Sequence, residues 1–156
     1  MREGAFTLVE LMILIVVGMI LAGVALPAAH TFDDQEVSAD LRVLRADLEF
    51  AQARAIATGQ RHRILFDTNS DTYQVESPPG VVLDEPLRKQ PWIRRLRERP
   101  LNGSDMVASS FGGDSSVLFD GAGTPDSGGS VIYRLGAFQA TATVAPVTGS
   151  VTLILP

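Results

Sequence analysis

From Leu11 to Ala29 the chain reads LMILIVVGMILAGVALPAA, nineteen residues without a charge or a side-chain hydrogen-bonding group. At about 1.5 Å per residue this makes roughly 28 Å of helix, the thickness of a hydrocarbon core. Ten of the nineteen are Leu, Ile or Val, and at about −0.3 to −0.6 kcal/mol each they favour membrane insertion by roughly 3 to 6 kcal/mol. The competing reading is a secretory signal peptide, with Arg2 as its basic end and residues 25–29 as its cleavage region. The apolar run is long for a signal core, and an acidic residue, Glu10, stands at its start. A carboxylate costs about 2.5 to 3.5 kcal/mol at mid-bilayer and less near the interface, so Glu10 needs a partner.

Around this segment the composition narrows the function. A chain of 156 residues, 46% hydrophobic and 20% charged, supports one folded domain and excludes general disorder. With 13 basic against 18 acidic residues the net charge is −5, which disfavours a general polyanion binder. The absence of cysteine excludes disulfides, thiolate metal sites and Cys nucleophiles. Two histidines, His30 and His62, leave few places for a metal cluster or a histidine relay.

Beyond the apolar run, Asp33 to Thr58 reads as an amphipathic helix. Val37, Leu41, Leu44, Leu48, Ala51 and Ala55 form an apolar seam, flanked by Arg42, Arg45, Asp47, Glu49 and Arg54. Gly59 is placed to stop it. Pro27 is expected to bend the helix rather than end it. After Gly59 come short β-prone runs separated by turn residues: 63–66, 72–76, 80–83, 116–119, 130–135, 140–145 and 150–155. The fold class is therefore α+β: a long N-terminal transmembrane and amphipathic helix followed by a β-rich domain of about seven short antiparallel strands. Residues 84–110 read as a long loop excursion.

The stretch Gly4-Ala5-Phe6-Thr7-Leu8-Val9-Glu10-Leu11 resembles the cleavage and methylation motif of type IV pilins and type II secretion pseudopilins. LEFAQARAIATGQRHRILFD, SVLFDGAGTPDSGG and the final ATVAPVTGSVTL resemble the H-type minor pseudopilins and transformation pilins, the GspH/FimT family. The resemblance implies a leader, residues 1–5, removed by a prepilin peptidase, then a transmembrane helix over 6–29. It further implies an amphipathic continuation over 30–59 and a periplasmic β-rich domain over 60–156. Ala5 stands where the family usually joins Gly directly to Phe, so two registers are open. Cutting after Ala5, the preferred register, makes Phe6 the methylated first residue and places Glu10 and Pro27 at the usual family positions. Cutting after Gly4 shifts both by one. In such proteins the acidic residue, here Glu10, pairs with the amino terminus of a neighbouring subunit during assembly. The implied function is that of a minor pseudopilin at or near a pseudopilus tip, in the bacterial inner membrane and then in the filament, with other pilins or pseudopilins as partners. No cofactor is implied.

Residues 84–100, DEPLRKQPWIRRLRERP, hold six of the 13 basic residues: Arg88, Lys89, Arg94, Arg95, Arg97 and Arg99. With Trp92 among them they are the candidate contact for a partner or for DNA, because arginine pairs with phosphate and tryptophan stacks on bases. A solvated charged loop is the competing reading. The resemblance implies arginines around the last hairpin in DNA-binding members, yet no arginine follows Arg134. DNA binding is thus the alternative function rather than the leading one.

Asp67, Asn69 and Asp71 have the spacing that opens a calcium loop, but Thr72 stands where its glycine belongs and Pro78 where its glutamate belongs. A hairpin turn is expected, and no metal is assigned. Gly113-Asp114-Ser115 is similar to a lipase nucleophile block, but no histidine follows His62 to act as base, and no catalytic residue is assigned.

Overall fold

In the computed structural model the residues described are 7–28, 30–98, 101 and 103–156, with backbone alone over 21–28 and 30–33. The chain divides into two compact units, Met1–Asp33 and Asp34–Pro156.

In the first unit, helix α1 spans Leu8–Ala28. Thr7 starts it as an N-cap: its Oγ1 accepts the Glu10 N–H at 3.3 Å, and its carbonyl accepts the Leu11 N–H at 3.2 Å. The side chains described stop at Ile20, short of the roughly 20 residues that a span requires. Among the described residues no helix is long and apolar enough to cross a membrane. Pro27 lies in the last turn of α1.

Helix α2 runs from His30 to Thr58, and from Asp34 onward it belongs to the second unit. All six residues of the apolar seam are fully buried. Gly59, at φ +65°, stops the helix in the left-handed conformation that glycine adopts without strain.

Among the described residues eight strands follow, rather than about seven: β1 (His62–Asp67), β2 (Thr72–Glu76), β3 (Ile93–Arg95), β4 (Asp105–Phe111), β5 (Ser116–Phe119), β6 (Gly129–Leu135), β7 (Phe138–Val144) and β8 (Val151–Ile154). They form two antiparallel sheets, ordered β3-β2-β1-β5 and β4-β6-β7-β8. One core unites the α2 seam with Ile64, Phe66, Tyr73 and Val75 of the first sheet and Phe111, Val131, Tyr133 and Ala142 of the second. Phe66 and Phe111 stack across the two sheets at 5.4 Å between ring centres.

The departures from expectation fall between residues 80 and 111. Residues 80–83 form no strand; Val82 makes only an isolated bridge to Glu76. The supposed excursion over 84–110 contains all of β3 and most of β4. β3 is a three-residue edge strand carrying Arg94 and Arg95, which hides it from any hydropathy pattern. In β4 the buried Met106 and Phe111 are an odd number of residues apart, because a bulge between Met106 and Ala108 shifts the register against β6. An inserted residue breaks the alternation by which a strand is recognised.

Candidate functional site

The basic excursion folds back onto α2 and is largely neutralised within the domain. Asp47, on the buried face of α2, is its anchor. Asp47 Oδ2 accepts hydrogen bonds from Tyr73 Oη at 2.8 Å, Arg94 Nε at 3.0 Å and Trp92 Nε1 at 3.3 Å. Arg94 also pairs with Glu85 at 3.0 Å, and its side chain is only 11% exposed. Burial works against the Arg94 charge, but the contact with Asp47 more than offsets it and keeps the guanidinium ionised. Burial, followed by the Asp47 charge, pushes the Tyr73 hydroxyl well above its ordinary value, so it stays a donor.

The structure therefore places Trp92 in the core, 5% exposed, against Phe50 at 4.7 Å and under the Arg94 guanidinium at 5.6 Å. Its ring faces are taken, and a buried indole is not a base-stacking platform. Arg88 lies 3.7 Å from Glu85, and Arg95 pairs with Glu98 at 3.3 Å. Arg97 bridges Asp71 at 3.1 Å and Asp105 at 2.9 Å. Lys89 sits in a turn at φ 54°, with no ion pair among the described residues. Gly4, Ala5, Phe6 and Arg99 lie outside the described residues. Of the seven excursion residues, then, Trp92 and Arg94 are brought together in the core, and three others carry acidic partners at the surface.

Two features of the domain escaped the sequence reading. Asp40 and Asp47 lie seven residues apart on the buried face, within the apolar seam, and Asp40 Oδ2 accepts the Ser104 hydroxyl at 2.6 Å. Two acids at heptad spacing on a buried stripe were the available signal. Gln52 Nε2 donates to Gly123 O and to Thr148 O, both at 2.8 Å, tying the β5–β6 loop and the β7–β8 turn to α2.

A further buried carboxylate, Glu76, ties down the segment that leads into the excursion. Glu76 accepts the Arg63 guanidinium, with Nε at 2.7 Å, Gln74 Nε2 at 2.6 Å and the Gly80 N–H at 2.7 Å. Burial alone raises its pKa, but the Gly80, Arg63 and Gln74 contacts outweigh burial and hold it below the usual carboxylate range. A depressed carboxyl contributes stability above its unfolded value, about 4.3, and that contribution is lost as pH falls through the folded value. Glu76→Gln is expected to be less stable than the parent at pH 7, with the gap narrowing below about pH 4, as read from denaturant midpoints at both pH values.

The Asp67 segment is a turn. Its carboxylate accepts the Asn69 N–H at 2.9 Å and the Ser70 hydroxyl at 2.7 Å, closing the β1–β2 hairpin. Among the described residues no cluster of His, Asp and Glu is arranged to hold a metal.

In α1, Leu8 to Ile20 are exposed all round, the large apolar side chains at 46 to 78%. Such a helix has no polar face to give to water, so it belongs inside apolar surroundings.

The family model described as Type II transport protein GspH matches residues 40–150, most of the chain. The chain belongs to the GspH family. A comparison with curated proteins finds no match. Among solved structures the chain resembles the minor pseudopilin EpsH from the type 2 secretion system of Vibrio cholerae. The TM-score is 0.60 at 14% identity, covering 78% of this chain and 98% of that one. It also resembles the type IV minor pilin FimU of Pseudomonas aeruginosa, with TM-score 0.55, 11% identity, and coverage of 78% and 89%. At these identities the likeness is one of fold. This GspH-family chain is a pilin-like structural subunit and not an enzyme, in keeping with its family.

Proposed function

We propose that the chain is a minor pseudopilin of a type II secretion system, a subunit at or near the pseudopilus tip that aids protein export across the outer membrane. The observation that carries this reading is the apolar surface of α1 from Leu11 to Ile20, in one chain with a GspH-type domain. On this reading a prepilin peptidase removes residues 1–5 and Phe6 becomes the methylated N-terminus. The segment 6–29 anchors the protein in the bacterial inner membrane with the β-rich domain in the periplasm, and the same helix later packs in the filament. Glu10, in the first turn of α1, pairs with the Phe6 ammonium of a neighbouring subunit, because a carboxylate among apolar helices needs an opposite charge. Mass spectrometry of the mature protein is expected to find N-methylated Phe6 first, and Ala5 at the N-terminus would overturn that register.

The second reading, a minor type IV pilin of the FimT kind binding DNA in transformation, draws support from the likeness to FimU, itself a minor pilin. Burial of Trp92 and the acidic partners of Arg94, Arg95 and Arg97 weigh against the excursion as its DNA contact. Crosslinking in native membranes, with identification of what copurifies, decides between the two. Secretion-machine components are the expected recovery; type IV pilus and competence proteins would replace the first reading with the second.

A further inference from the structure

At the outer edge of β3 the excursion leaves a cavity of about 340 Å³, walled by Arg88, Gln90, Ile93, Arg94, Arg95 and Glu98 among others. Arg94 is spent on Asp47 and Glu85. Arg88 and Arg95 are not. Their side chains are 55% and 57% exposed; Arg88 reaches Glu85 only at 3.7 Å, and Arg95 meets the open Glu98 at 3.3 Å. Exposed pairs at such distances contribute little, so either guanidinium is free to exchange its partner for another anion. The wall thus holds two open guanidiniums against one open carboxylate, in a chain whose net charge is −5.

The backbone at this edge is only part used. Val75 N–H bonds Trp92 O and Leu96 N–H bonds Asp71 O. Antiparallel bonding alternates, so Arg94 directs its N–H and C=O to β2, while Ile93 and Arg95 direct theirs outward. Ile93 N–H turns back to Pro91 O, and Arg95 O accepts the Glu98 N–H, which leaves the Ile93 carbonyl and the Arg95 N–H. A carbonyl and an N–H on either side of one residue are what a single residue of a parallel strand bonds.

We propose that this edge is a docking site for an extended acidic segment of a partner protein. One residue of the segment bonds the Ile93 carbonyl and the Arg95 N–H, and an aspartate or glutamate side chain enters the cavity between Arg88 and Arg95, with Gln90 as a further donor. Charge selects an anion, and the backbone selects a peptide. A nucleic acid offers no peptide N–H and C=O to the edge, and Trp92, the indole that would stack its bases, is buried. β3 has room for one such pair of backbone bonds, so the charges carry most of the affinity and binding weakens as salt rises. The proposal does not rest on the secretion reading, and a pilin in either machine would carry it.

The test is a titration of the full-length chain in detergent with a short fluorescent peptide of alternating glutamate and valine, blocked at both ends. Its only charges are then side-chain carboxylates. The same peptide with glutamine for glutamate is expected to bind at least about tenfold more weakly, as is the acidic peptide to the Arg88→Gln, Arg95→Gln chain, since each loses charge-assisted bonds. Both arginines being more than half exposed, thermal unfolding of this double variant should match the parent. Glu98→Gln removes the carboxylate that competes for Arg95 and should tighten binding about threefold. Methylating the backbone nitrogens of the peptide removes the N–H meant for Ile93 O and should weaken it severalfold. Affinity indifferent to any of these changes would overturn the proposal. So would a single-stranded oligonucleotide that binds more tightly than the peptide and loses that affinity in the double variant. The titration contains no other component of either machine, so its failure and failure of the secretion reading are separately visible.

Discussion

Replacing Asp47 by alanine is expected to destabilise the domain by about 3 to 5 kcal/mol, the cost of leaving one member of a buried ion pair without the other. The loss is this large because one carboxylate oxygen serves three donors at once. Arg94 keeps only Glu85, while Tyr73 and Trp92 lose the acceptor that their buried donors depend on. A guanidinium 11% exposed has little water to turn to. Asp47→Asn retains an acceptor and should lose less. In the double variant Asp47→Ala, Arg94→Ala the charge left behind is removed, so its cost should fall well short of the sum of the two single costs. Denaturant unfolding of the four proteins gives the cycle. Additive costs would show that the pair does not act as a unit, and the excursion would then be held by Trp92 packing on Phe50 instead.

That cycle also bears on how much could be read beforehand. The α2 seam was legible because six apolar residues at heptad spacing admit one burial pattern, and all six are buried. Strands β1, β2, β5, β6, β7 and β8 were legible because turn residues bound each and their side chains alternate between core and surface. The excursion was not legible, for a definite reason. Two of its arginines find acids outside the run: Arg94 pairs with Asp47, 47 residues earlier, and Arg97 with Asp71 and Asp105. A local count of charge sees a basic run, whereas the folded chain presents compensated pairs. Trp92 was misread for the same reason, since nothing near it in sequence announces Phe50 or Asp47 as its neighbours. The leader junction at Gly4, Ala5 and Phe6 lies outside the described residues and rests on the motif.

Glu10→Val is expected to leave membrane insertion intact and to abolish incorporation into a filament. The two effects separate on physical grounds. The cap on α1 does not use the Glu10 side chain, since Thr7 Oγ1 accepts the Glu10 backbone N–H, so valine keeps the start of the helix. Valine also extends the apolar run by one residue and removes a carboxylate whose insertion is unfavourable, so partition into the membrane is maintained or improved. In the filament the balance reverses. The Phe6 ammonium of the neighbouring subunit would enter an apolar helix bundle with no opposite charge, at a cost of about 3 to 5 kcal/mol, which is roughly a hundredfold or more in incorporation. Glu10→Gln separates charge from hydrogen bonding: it keeps a polar group at the same position, and if the charge is what aligns subunits it should fail nearly as completely as valine. The measurement is the ratio of sheared, sedimentable filament to membrane-bound subunit for the parent and both variants. Incorporation of Glu10→Val at the parent level would refute the pairing role, and failure of that variant to reach the membrane at all would show that Glu10 acts earlier, at insertion or leader cleavage.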